Sequence, residues 1–274
     1  MRQVRTDVSP TALVAAIEAN THDAFARWGH ALGADFHKDA DVMYFTSAVP
    51  LQLANGVIRA HLTSASADSR IAAIVRDLRA NDEPFAWLIG PSSQPDDLTT
   101  LLEARGLTLD DESPGMAVDL RTAPLAAPMP AGATVAEVLD DAMLSRWIDI
   151  LCIASPLPDA VHELLHALHT RHGFSPNPQL RFYLGTLDGA PVATSLLFVG
   201  AGVAGIYCVA TLPQARGRGF GTAMTVAPLR AARDAGLAIG VLQSSQMGYA
   251  IYRRLGFVEC CTFRFYFGSP ATTR

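Results

Sequence analysis

Lysine is almost missing from this 274-residue chain: Lys38 stands alone, and every other basic residue is an arginine. Charge of either sign is sparse, at 17 % of residues, and the formal net charge is −5. A nucleic-acid binder shows a basic patch or a basic domain, so no nucleic-acid partner is expected. Cysteine is also scarce. Cys152, Cys208, Cys260 and Cys261 form no Cys-x-x-Cys pair, which reads as reduced, partly buried thiols in a cytoplasmic protein. The charged opening residues Met1–Pro10 have no apolar stretch behind them, so no secretory leader is expected. Disorder is excluded from the other side, because half of the chain is hydrophobic.

One absence is local. From Gly189 to Ala215 there is no charged residue, a run long enough to span a bilayer. Gly200, Gly202 and Gly205 interrupt it, and Val192–Val199 and Val203–Thr211 read as short β-rich runs. Two buried strands in a hairpin give near-continuous hydrophobics, so no membrane span is expected.

The Pro/Ala stretch Arg121–Ala133 (RTAPLAAPMPAGA) lacks apolar periodicity and marks a linker. It predicts a first unit over 1–122, a linker at 123–132 and a second unit over 133–274. The second unit reads as strand Thr134–Val138 and helices Asp140–Ile153 and Pro158–His172. Strands Leu180–Leu187, Val192–Val199 and Val203–Thr211 follow, the first two joined by the hairpin turn Asp188-Gly189. A helix Gly219–Ala235, a strand Leu237–Leu242, a helix Gln246–Leu255 and a strand Phe257–Phe267 complete it. Gly236 and Gly256 suit left-handed helix ends. The first unit echoes this order: helix Pro10–Leu32, strands Val42–Ser47 and Gly56–Leu62, helix Asp68–Ala80, strand Phe85–Ile89, helix Pro95–Arg105, strand Leu107–Leu120. The whole is an α/β protein with a mixed central sheet flanked by helices.

The segment Val209–Thr222 (VATLPQARGRGFGT) runs from an apolar strand through three alternate glycines and two arginines into a helix. Glycines let successive backbone N–H groups turn toward one anion. The helix start adds unpaired donors and a positive dipole end, and arginine adds planar donors. Such a loop suits a pyrophosphate. It has no Gly-Lys-Ser/Thr and its spacing is GxGxG rather than GxGxxG, so it is neither a Walker A loop nor a Rossmann fingerprint. No glycine–arginine loop precedes the first unit's helix at Asp68.

Arg216-Gly-Arg-Gly219-Phe-Gly221, with Pro213 three residues before it, resembles the phosphate loop of the GCN5-related N-acetyltransferases (GNAT). Tyr252-Arg-Arg-Leu-Gly256-Phe257 resembles the end of that family's last conserved helix. The likeness covers about 133–268 and implies a GNAT fold, here two GNAT-like units in tandem with a degenerate first half. It implies acetyl-CoA as co-substrate and an amine acceptor. Val209, Ala210 and Thr211 would pair with the pantetheine arm. Arg216, Gly217, Arg218, Gly219, Phe220, Gly221 and Thr222 would hold the pyrophosphate. Tyr252 would protonate the leaving thiolate, and Ser245 stands where relatives often carry an asparagine that bonds the cofactor.

Two features depart from that pattern. Tyr207 and Gly240 occupy positions where relatives often carry a glutamate base, and no carboxylate lies between Asp188 and Asp234. The amine would then lose its proton through water or to a residue of the 140–175 helices, or would arrive neutral. A sensor that binds acyl-CoA without turnover is the non-enzyme alternative. Separately, His162-Glu163-x-x-His166 matches HExxH, two histidines one helical turn apart with Glu163 as base and His172 as a further ligand of a zinc hydrolase. Without the rest of a zinc-protease signature, these histidines are expected to form a solvated helix face or line an acceptor pocket, and no metal is expected.

Overall fold

The computed structural model describes residues 3–155 and 159–270, the side chains of residues 171 and 172 aside. The chain opens with α1 (Pro10–Ala31), then β1 (Asp35–Lys38), β2 (Val42–Thr46), β3 (Gly56–Ala60), α2 (Ser64–Ala80), β4 (Phe85–Ile89), α3 (Leu98–Glu103) and β5 (Thr108–Asp119). After a stretch without helix or strand come β6 (Ala133–Glu137), α4 (Asp141–Ala154), α5 (Asp159–His172), β7 (Leu180–Leu187), β8 (Ala190–Gly200) and β9 (Val203–Thr211). Then α6 (Phe220–Asp234), β10 (Ile239–Gln243), α7 (Gln246–Arg254) and β11 (Val258–Gly268) finish the fold. The expected helix start at Pro158 lies outside the described residues. Strand β1 was not foreseen: four residues with one half-buried side chain, Phe36, carry no alternation to read.

The residues group into two compact units, Met1–Asn20 with Gly115–Cys260, and Thr21–Pro114 with Cys261–Arg274. These are not the linear pieces expected from the linker at 123–132. The chain passes from one unit to the other inside α1, inside β5 and again inside β11, so a boundary drawn in chain order misassigns parts of all three elements. The Pro/Ala stretch is irregular as expected, but it lies wholly within the unit that contains Gly115–Cys260.

In the unit that contains Gly115–Cys260 the strand order is β11-β5-β10-β9-β8-β7-β6. The charge-free run Gly189–Ala215 is the antiparallel hairpin β8–β9. Among the described residues no helix is long and apolar enough to cross a membrane. The turn between β7 and β8 places Asp188 at φ 50° and Gly189 at φ 81°, the left-handed pair that a two-residue hairpin needs. Helix α4 is started by Asp140, whose carboxylate accepts from the Met143 N–H at 2.8 Å. Helix α6 is followed by Gly236 at φ 86°, and α7 by Gly256 at φ 91°, where a side chain would be strained. A buried cluster of Met116, Val118, Leu197, Ile206, Phe220, Met224, Leu229 and Phe257 seats α6 on the sheet.

In the other unit β1-β2-β3-β4-β11 run in order, with Trp87, Phe85, Ile71 and Leu78 fully buried between α2 and the strands.

Candidate active site

Strands β9 and β10 run parallel but pair only at Ala204↔Gly240 and Gly205↔Val241. Strand β9 continues to Thr211 and β10 to Gln243. Beyond Gly205 and Val241 the two strands have no further register pairs among the described residues, so a wedge opens between them. Val209, Ala210 and Thr211 lie on the stretch of β9 that has no register pair with β10 among the described residues.

A β-bulge precedes them. Ala210 faces Thr194 and Tyr207 faces Leu196, so Cys208 and Val209 together oppose Ser195. Cys208 has φ 52°, a left-handed conformation that costs a non-glycine residue roughly 1–3 kcal/mol. The Thr194 hydroxyl donates to the Cys208 carbonyl at 2.9 Å and fixes the distortion. Burial pushes the Cys208 thiol up to about 12, helped by nearby Cys152, so it stays neutral. A bulge re-aims the residues after it. Sequence reasoning missed this one, and no glycine, asparagine or aspartate marks it.

The wedge ends at the loop. A 3-10 turn, Pro213–Ala215, leads to Arg216, Gly217 at φ 72° and Gly219 at φ 90°; Gly219 is the N-cap of α6. Among the described residues the N–H groups of Gly217 to Thr222 have no acceptor. A row of such donors at the start of a fifteen-residue helix is a ready anion site. Arg216 is exposed. Its guanidinium donates to the Thr211 carbonyl at 3.1 Å and the Ala154 carbonyl at 3.4 Å, tying the loop to β9 and to the end of α4. Arg218 is exposed and has no partner among the described residues.

Helix α7 meets this loop. A Cβ on Gly221 would lie 2.9 Å from Ile251 Cδ1, so glycine there allows the two helices to close. Next to Ile251 stands Tyr252, buried and packed edge-on against Phe257 at 5.8 Å between ring centres. Gly248, one turn earlier, makes room for it: a Cβ would sit 2.6 Å from the Tyr252 ring and 3.2 Å from its hydroxyl. Burial pushes the Tyr252 phenol up to about 12, and its hydroxyl has no hydrogen-bond partner among the described residues. Ser245 is the N-cap of α7 and accepts from the Gly248 N–H at 3.2 Å. The predicted site residues Val209–Thr211, Arg216–Thr222, Ser245 and Tyr252 are therefore brought to one end of the sheet.

The positions lacking a glutamate are occupied structurally. The Tyr207 hydroxyl donates to Asn20 Oδ1 at 2.8 Å, and Asn20 Nδ2 donates to the Gly200 carbonyl at 3.0 Å. Gly240 is enclosed by Leu229, Val118 and Leu120. The histidines of α5 are in part solvated, with His162 40 % and His166 32 % exposed, but they are also paired with α4. His162 and His166 turn toward Asp149 of α4, each 2.9 Å from its Oδ1, and His169 reaches Asp141 at 2.8 Å. Glu163 is exposed. His172, the further ligand considered from spacing, has its side chain outside the described residues.

The corresponding place in the first half of the chain is built differently. Strands β3 and β4 also run parallel, paired at Gly56↔Ala86 and Val57↔Trp87. Here the strands are rejoined further on. His61 bridges to Gln94, the Leu62 N–H donates to the Gln94 carbonyl, and the Gln94 N–H donates to the Ala60 carbonyl. The gap between the strands is closed by backbone hydrogen bonds, and α2 starts at Ser64 without a glycine loop.

Residues 185–260 match the family model described as acetyltransferase (GNAT) domain. A search of the curated proteins finds no match. Among solved structures, the chain is similar to a GCN5-related N-acetyltransferase from Kribbella flavida (TM-score 0.69, 19 % identity, 92 % of this chain and 96 % of that one). It is similar to another from Sphaerobacter thermophilus (TM-score 0.64, 16 % identity, 98 % and 95 %). It also resembles a tandem GNAT protein from the clavulanic acid biosynthesis pathway (TM-score 0.60, 15 % identity, 85 % and 79 %).

Proposed function

The chain has the GNAT fold in tandem and carries an acetyltransferase domain over residues 185–260; from that premise we propose that it moves acetyl from acetyl-CoA to an amine by direct transfer in a ternary complex. The observation that carries this reading is the wedge between β9 and β10 opening onto the unpaired N–H groups of Gly217–Thr222. A wedge edged by free peptide groups suits the amides of a pantetheine arm, and the loop suits a pyrophosphate. Arg216 and Arg218 would add charge-assisted bonds to the phosphates. Acetyl-CoA supplies the activated acyl group, as a thioester.

The chain's own residues then hold and position. Val209, Ala210 and Thr211 align the arm through backbone groups that the bulge at Cys208 has aimed into the wedge. Tyr252 keeps its proton at neutral pH because burial raises its phenol. In the transfer a C–N bond forms and the C–S bond breaks; the thiolate takes a proton from the Tyr252 hydroxyl, the amine releases one to solvent, and the Tyr252 phenolate regains its proton from solvent. A buried, protonated phenol without a competing acceptor suits that donor. In this reading the unit Met1–Asn20 with Gly115–Cys260 holds the catalytic site. The degenerate unit Thr21–Pro114 with Cys261–Arg274 has no second cofactor site, since its gap is closed at His61 and Gln94. The four cysteines are free and fit a reducing compartment, so we place the protein in the cytoplasm.

The test is release of free CoA thiol from acetyl-CoA, measured with a panel of small amines, aminoglycosides, peptide N-termini and lysine side chains. An enzyme gives amine-dependent thiol release with a matching acetylated product. Binding of acetyl-CoA with no release against any class would favour the acyl-CoA sensor instead.

A further inference from the structure

From the two helices α4 and α5 we infer a zinc site that the transferase reading does not use, formed by Asp149, His162 and His166. His162 and His166 stand four residues apart, on one face of α5. Their Nε2 atoms are 3.1 Å from each other and each 2.9 Å from the same atom, Asp149 Oδ1. Three donor atoms from two helices thus form a nearly equilateral triangle.

Hydrogen bonds cannot close all three edges of that triangle. With both Nε2 atoms protonated, each donates to Asp149 Oδ1, and the two nitrogens are then held 3.1 Å apart with no hydrogen bond between them. With one Nε2 unprotonated it accepts from its neighbour, but it then meets the carboxylate lone pair to lone pair at 2.9 Å. Two neutral imidazoles and a carboxylate have no arrangement in which all three edges are hydrogen bonds. A divalent cation takes one lone pair from each and satisfies all three at once.

The dimensions fit zinc. With Zn–N and Zn–O bonds of about 2.0–2.1 Å, tetrahedral ligand atoms lie roughly 3.3 Å apart, a few tenths of an ångström wider than the triangle seen. Imidazole and carboxylate together suit Zn²⁺ better than thiophilic or all-oxygen cations. His162, His166 and Asp149 have side chains 40 %, 32 % and 44 % exposed, which leaves an entry path and a fourth position for water. The ion would clip α5 to α4. His169 is not part of it, since its Nε2 is engaged by Asp141. The HExxH spacing was visible in the sequence; the third ligand, thirteen residues before His162, was not.

The test uses untagged full-length protein, stripped with chelator and titrated with Zn²⁺ by calorimetry and with Co²⁺ by visible absorption. The expected result is one Zn²⁺ per chain, a raised Tm, and the intense d–d bands of four-coordinate cobalt. His162→Ala and His166→Ala, with folding checked by circular dichroism, should each weaken binding by more than the roughly 10–100-fold that loss of an outer-shell partner costs. His169→Ala should bind as wild type. Absence of stoichiometric Zn²⁺ binding by the wild type, or six-coordinate cobalt spectra, would overturn the proposal without recourse to variants. So would loss of binding in His169→Ala with retention in His162→Ala.

Discussion

Tyr252 combines burial, a phenol held neutral and a hydroxyl without a hydrogen-bond partner among the described residues. That combination suits a proton donor, whereas a merely structural tyrosine would use only its ring. Tyr252→Phe separates the two roles. Steady-state kinetics should show kcat lowered by about 10²-fold or more, the range for loss of a general acid. Affinity for acetyl-CoA should hold, because the ring still packs on Phe257 and fills the space that Gly248 leaves. Turnover equal to wild type would make solvent the acid and the tyrosine a packing residue. Ser245 shows the opposite case. Sequence position suggested a cofactor contact, and in the structure its oxygen caps α7. Ser245→Ala should therefore lower stability by about 1 kcal/mol, as loss of an N-cap does, in denaturant melts without any cofactor present. An unchanged melting midpoint would free that hydroxyl for the ligand.

Among the secondary-structure elements, the two parallel strand pairs differ in the feature on which the proposed cofactor site rests. Pair β9/β10 stays open; pair β3/β4 is closed by two backbone hydrogen bonds between Ala60–Leu62 and Gln94. The open pair was legible in advance because the glycines after Thr211 and the Tyr252–Phe257 motif announce it. Most elements were legible too: Leu180–Leu187, Val203–Thr211 and Phe85–Ile89 appear with the bounds their apolar runs imply. What was hidden depends on partners distant in sequence. The bulge at Cys208 is set by the register of β8, not by any residue in β9 that favours a left-handed backbone. Asp149 joins His162 and His166 only because α4 lies beside α5. The passage of β5 between the units coincides with a change from the exposed, mostly polar Thr108–Glu112 to the buried Gly115–Val118, but the strands each part pairs with are set elsewhere in the chain. Gln94 closes the first-half gap from a loop that carries no β pattern.

For the whole molecule, pH dependence and cofactor stoichiometry are the readouts. Burial pushes Tyr183 and Tyr252 up to about 12, against about 10 for an unfolded tyrosine. A raised folded-state value means that the native state resists ionisation. Stability is therefore complete below about pH 10 and falls as pH rises from there through about 12. Tyr183 also buries a hydroxyl with no partner among the described residues. Tyr183→Phe should be neutral or slightly stabilising at pH 7 and should flatten the alkaline decline, as read by urea midpoints across that range. A steeper decline in the variant would assign it to other groups.

On the proposed function one half of this chain would hold acetyl-CoA and the other would not. Calorimetric titration of the full chain with acetyl-CoA distinguishes the two halves. One molecule should bind per chain, with a raised Tm because the ligand binds only the native state. Arg216→Ala should weaken that binding by about 1.5–3 kcal/mol, the range for hydrogen bonds to charged groups. No binding at millimolar acetyl-CoA, or two molecules bound per chain, would contradict that reading.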